Sequence, residues 1–67
     1  MSYTTSFDTA NNRMNHDFGN GNSVVTDFNL ATAYKLHNGE PKESFSIKSM
    51  HPDHYRNILV NIEKSLE

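Results

Sequence analysis

The chain has 67 residues, with six Lys+Arg against eight Asp+Glu and no cysteine, for a formal charge of −2. That length supports one small domain, and the absence of cysteine excludes a disulfide-stapled scaffold, a Cys-based zinc module and a thiol catalyst. No apolar run nears the roughly 18 residues of a membrane span, no signal-peptide pattern precedes the body of the chain, and the mild acidity gives no push toward nucleic acid or anionic lipid.

Residues 1–22 form a polar segment with apolar side chains only at Met1, Tyr3, Phe7, Ala10, Met14 and Phe18. Asn11, Asn12, Asn15, Asn20 and Asn22 crowd it, and Gly19-Asn20-Gly21-Asn22 has the composition of a turn. This segment reads as a weak strand or a flexible arm ahead of a folded body over residues 23–67. Met14, His16 and Phe18 alternate. They would face Phe28, Thr26 and Val24 across a three- or five-residue loop.

From Val24 to Leu36 the even positions are Val, Thr, Phe, Leu, Thr, Tyr and Leu. That is an unbroken period-two run of β-formers, and a single strand is the preferred reading. A helix over 27–37, capped by Asp27, is the competitor. Asn38-Gly39 is the favoured central pair of a type I′ hairpin. Closing a two-residue loop there sets Leu30 opposite Ile47, Thr32 opposite Phe45 and Tyr34 opposite Glu43. Pro41 counts mildly against that register, because proline suits only an edge or a bulge.

Tyr55, Ile58, Leu59, Ile62 and Leu66 fall on one stripe of a C-terminal helix. Pro52 suits its first position and Asp53 its positive end. The Leu66-Glu67 ending also matches the junction dipeptide that precedes a purification tag, in which case Leu66 is no evidence for a core. The expected architecture is α+β: a two- or three-stranded antiparallel β-meander with one C-terminal amphipathic helix packed on one face. The helix would cover Phe28, Leu30, Tyr34, Phe45 and Ile47.

On that register the open face of the sheet carries Ala31, Ala33, Ser44 and Ser46 at its centre, flat enough for self-association. Lys35, Lys42 and Lys48 lie on the same face and make a weak nucleic-acid platform the alternative. His51 and His54, three apart in His51-Pro52-Asp53-His54, are metal-ligand candidates without a third or fourth ligand at fixed spacing. Gly19-x-Gly21 lacks the rest of a phosphate loop. No nucleophile elbow is present, and so small a core encloses little pocket.

The expected function is therefore that of a small non-enzymatic, protein-binding interaction protein without a cofactor. It would act in the cytoplasm as a homodimer or with another protein, and away from membranes.

Overall fold

The computed structural model describes residues 3–66; the Leu66-Glu67 ending thus falls partly outside the described residues. Five strands follow one another as β1 (Thr4–Asp8), β2 (Arg13–Gly19), β3 (Asn22–Asp27), β4 (Thr32–His37) and β5 (Glu40–Ser46), and one helix, α1 (Pro52–Ser65), closes the chain. The strands form a single antiparallel meander in the order β1-β2-β3-β4-β5. The α+β class is as expected, but the sheet has five strands and not two or three.

Two errors of reading account for the missing strands. Residues 13–19 form the weak strand allowed for in the polar segment, although they are poor in β-formers, and residues 4–8, richer in threonine and phenylalanine, add a further edge strand beside them. The period-two run from Val24 to Leu36 is not one strand. A four-residue turn over 28–31 splits it, with the Asp27 carboxylate accepting from the backbone N–H of Asn29 (2.9 Å) and Leu30 (3.2 Å). That is an Asx-type cap, a local hydrogen bond that competes with strand continuation. Ala31 completes the turn with φ +50°. The helical competitor over 27–37 is likewise absent.

The connections alternate in length: 9–12 and 28–31 are long, while 20–21 and 38–39 are short. Both short ones are Asn-Gly pairs with both residues at positive φ (55° and 81°, then 52° and 83°), as a type I′ turn requires. The long turns meet at one end of the sheet, where the Phe28 N–H donates to the Asn12 carbonyl (3.1 Å). The short turns meet at the other, where the Asn38 N–H donates to the Gly21 carbonyl (2.8 Å).

The Asn38-Gly39 hairpin starts in the expected register, with His37 opposite Glu40 and Leu36 opposite Pro41. One residue later the register shifts, so that Lys35 faces Glu43, Tyr34 faces Ser44 and Ala33 faces Phe45. A β-bulge at Lys42 inserts the extra residue, next to Pro41 on an edge strand where both are tolerated. A one-residue shift exchanges the faces of β4 relative to β5. Upstream, Met14 and His16 pair with Thr26 and Val24. That is two residues from the expected partners, a slip that keeps every side chain on its face.

The core lies between the sheet and α1. Val24, Ala33 and Leu59 are buried, and Tyr3, Phe18, Phe45, Ile47, Tyr55 and Ile62 pack around them. Of the residues expected beneath the helix, Phe45 and Ile47 are there. Tyr34 is on the opposite face of the sheet, Leu30 is 62% exposed in its turn, and Phe28 is 43% exposed at the edge of the helix. α1 begins as expected, with Pro52 at its first position and His51 as N-cap, whose Nδ1 accepts from the Asp53 N–H (3.1 Å).

Candidate functional site

Antiparallel pairing arranges the side chains in cross-strand rows. Facing α1 are Thr5, His16, Val24, Lys35 and Glu43 in one row, and Phe7, Met14, Thr26, Ala33 and Phe45 in the next. The opposite face carries Ser6, Asn15, Val25, Tyr34 and Ser44, flanked by a row ending in Leu36 and Pro41 and another holding Arg13 and Asp27. No element covers this second face among the described residues.

The small-residue patch expected on the open face is dispersed. Ala33 is fully buried under α1, Ala31 sits in the 28–31 turn, and only Ser44 and Ser46 remain on the open face, near its β5 edge. The lysines are not gathered either. Lys35 shares the helix-side row with Val24, Lys42 occupies the bulge with its ammonium 3.2 Å from Glu40, and Lys48 lies in the loop after β5. Near His51 and His54, no group of three His, Cys, Asp or Glu side chains is placed to hold a metal ion, and none is elsewhere among the described residues.

What the open face does have is a shallow apolar depression of about 380 Å³ across β3, β4 and the start of β5. Val25, Tyr34, Leu36 and Pro41 form it, with Leu30 at one end. The Arg13 guanidinium lies 3.4 Å from the largely buried Asp27 carboxylate on its border. A pair with one partner half exposed contributes little to stability, but it neutralises the acid beside the apolar floor.

Beneath α1 the sheet holds a polar network that the sequence reading did not find. His16 is 4% exposed. Its Nδ1 is 2.9 Å from Thr5 Oγ1, its Nε2 is 2.8 Å from the Tyr55 hydroxyl, and that hydroxyl is 2.6 Å from Thr26 Oγ1. One proton per contact satisfies the chain in either direction. Thr5 donates to Nδ1, Nε2–H to Tyr55 and Tyr55 to Thr26, or each donor and acceptor is exchanged. Burial holds the imidazole below its ordinary pKa of 6.5. It also pushes the Tyr55 phenol above its ordinary 10.0. The one available signal was His16 itself, a polar residue between Met14 and Phe18 on an alternating apolar face.

Beside this network, where the first turns of α1 leave the sheet, a cleft of about 440 Å³ opens between Met14, Phe28, Ile47, Met50 and the Tyr55–Leu59 side of the helix. No known protein family, curated protein or solved structure matches this chain.

Proposed function

We propose that the protein is a small non-enzymatic binding module that works through protein contacts, as a homodimer joined by the uncovered faces of two sheets. The observation that carries this reading is the apolar floor of Val25, Tyr34, Leu36 and Pro41 on a five-stranded sheet with a helix on one side only. Two sheets pack face to face about 10 Å apart by interleaving such residues.

A standard specific interface buries roughly 800 Å² per partner, about a sixth of the 4634 Å² accessible surface of this chain. Five strands about 4.8 Å apart and about 20 Å long span roughly 480 Å² in projection, so the relief of the side chains and the bordering turns supplies the rest of such an interface. Stability points the same way. The buried hydrophobic residues are Val24, Ala33 and Leu59, and a domain of this size gains much from a partner that binds only the folded form. The Arg13–Asp27 pair lies at the margin, where charge sets orientation more than affinity.

Light scattering across micromolar concentrations tests this reading. The expected mass is about twice 7.7 kDa, falling to the single-chain value in Tyr34→Glu and Leu36→Glu. A wild-type chain that stays at 7.7 kDa throughout overturns the homodimer. A dimer untouched by both substitutions overturns the face.

A further inference from the structure

We infer that the cleft on the opposite side of the sheet, beside the N-terminal half of α1, binds a small amphipathic carboxylate. Three features carry this. Its volume of about 440 Å³ falls in the range of small-molecule sites. Its walls are apolar and adaptable: Met14 and Met50, whose unbranched thioethers refit to ligands of different shape, with Phe28, Ile47 and Leu59 between them.

The third feature is charge. Among the described residues lining the cleft, Arg56 carries the one formal charge at neutral pH, since burial keeps His16 neutral. Its guanidinium is two-thirds exposed, with only a long 3.9 Å approach to Asp53. The floor does not compete for a polar ligand. His16, Tyr55, Thr5 and Thr26 spend their hydrogen bonds on one another, and no buried side-chain nitrogen or oxygen lacks a partner among the described residues. A ligand for this cleft needs an apolar body and one anionic end that reaches Arg56. Tyr3 also lines the cleft, but its hydroxyl carries no charge to hold an anion.

The carboxylate is held by a charge-assisted pair at the rim, and the chain or ring lies against Met14, Phe28 and Ile47. The uncovered sheet face takes no part, so binding here is independent of self-association.

Decanoate and decanol, each below its aggregation limit, are the probes, followed by amide shifts in ¹⁵N-labelled protein. Decanoate is expected to give saturable shifts at residues 14, 28, 47, 50 and 56 and to bind about tenfold more tightly than decanol at low salt. Arg56→Gln should remove that difference while the alcohol binds as before. Met50→Trp, in a surface loop, should fill the cleft and block both ligands with the rest of the spectrum retained. No saturable shift at these residues, equal affinity for acid and alcohol, or an acid preference that survives Arg56→Gln each overturns the site.

Discussion

The two faces of this sheet are built from the same strands, and both carry apolar side chains at their centre, yet among the described residues only one has a helix. Under α1 the central side chains are Val24, Thr26 and Ala33, all small and fully or nearly fully buried. On the other face the corresponding positions hold Val25, Tyr34 and Leu36. Small side chains let the helix backbone approach and let Leu59 reach the sheet; Tyr34 and Leu36 would hold it off. The expectation ran the other way, giving the helix the large residues and a partner the small ones. Closeness of approach decides which face takes the covalently attached layer, and the face with larger side chains is left uncovered among the described residues.

Truncation on each face breaks that comparison most sharply. Leu59→Ala empties the centre of the covered face and should lower the unfolding free energy by about 3 kcal/mol, a large part of what so small a domain has. Leu36→Ala should cost the monomer under about 1 kcal/mol, because its side chain faces an open depression. Its larger effect should be on the proposed dimer. Urea denaturation at low and high protein concentration separates the two, and equal losses at low concentration would mean that the faces are not distinct.

Tyr55→Phe comes next. It removes the one hydroxyl that serves both His16 Nε2 and Thr26 Oγ1, leaving two buried groups unpartnered where the apolar gain is a single ring edge. The expected loss is about 2 kcal/mol. A neutral result in thermal and urea unfolding would mean that water takes over the hydroxyl's place through the neighbouring cleft.

The helix, its proline start and the Asn38-Gly39 turn were legible because each depends on residues within a few positions of one another. The faces of β4 were not, because they depend on two insertions that period-two counting passes over. Phe28 and Leu30 continue the even-numbered apolar run through a turn, so the alternation is unbroken in the sequence while the chain reverses. The bulge at Lys42 then shifts β5 by one. Asn20-Gly21 is the same dipeptide as Asn38-Gly39, and its flanks hid it: β2 has Arg13, Asn15, His16, Asp17 and Gly19 among its seven residues, and pairing with β3, not propensity, makes it a strand. The candidate site was less legible still. Ala33 changed faces with β4, and the His16–Tyr55 contact joins residues 39 apart in sequence.

The two Asn-Gly turns offer a finer comparison, because they share a conformation and differ in surroundings. Both glycines have φ above 80°, where alanine is strained. A Cβ at Gly39 meets nothing nearby, whereas one at Gly21 runs into the Asn38 side chain. Gly39→Ala should cost about 1 kcal/mol, the backbone strain alone. Gly21→Ala should cost more and should also shift the Asn38 and His37 amides, since it pushes one turn off the other. Equal melting temperatures for the two variants would mean that the turns do not depend on each other.

The smallest effect expected is a pH slope, and its sign follows from His16. Its hydroxyl partners, Thr5 and Tyr55, can both accept from an imidazolium, so protonation need not break the network and only burial opposes the charge. Well above pH 6.5 the imidazole is neutral in the folded and unfolded chain alike, and its contribution is constant. As pH falls through 6.5 the unfolded chain takes up a proton that the folded one refuses until its own lower pKa, so stability declines over that interval. Asp8, whose carboxyl is held below 3.8 by the Asn11 side-chain amide, acts only at lower pH. His37, His51 and His54 are exposed. Melting curves from pH 7.5 to 5 should therefore fall in the wild type and flatten in His16→Gln. The same slope in both would place the titrating group on the surface and not beneath the helix.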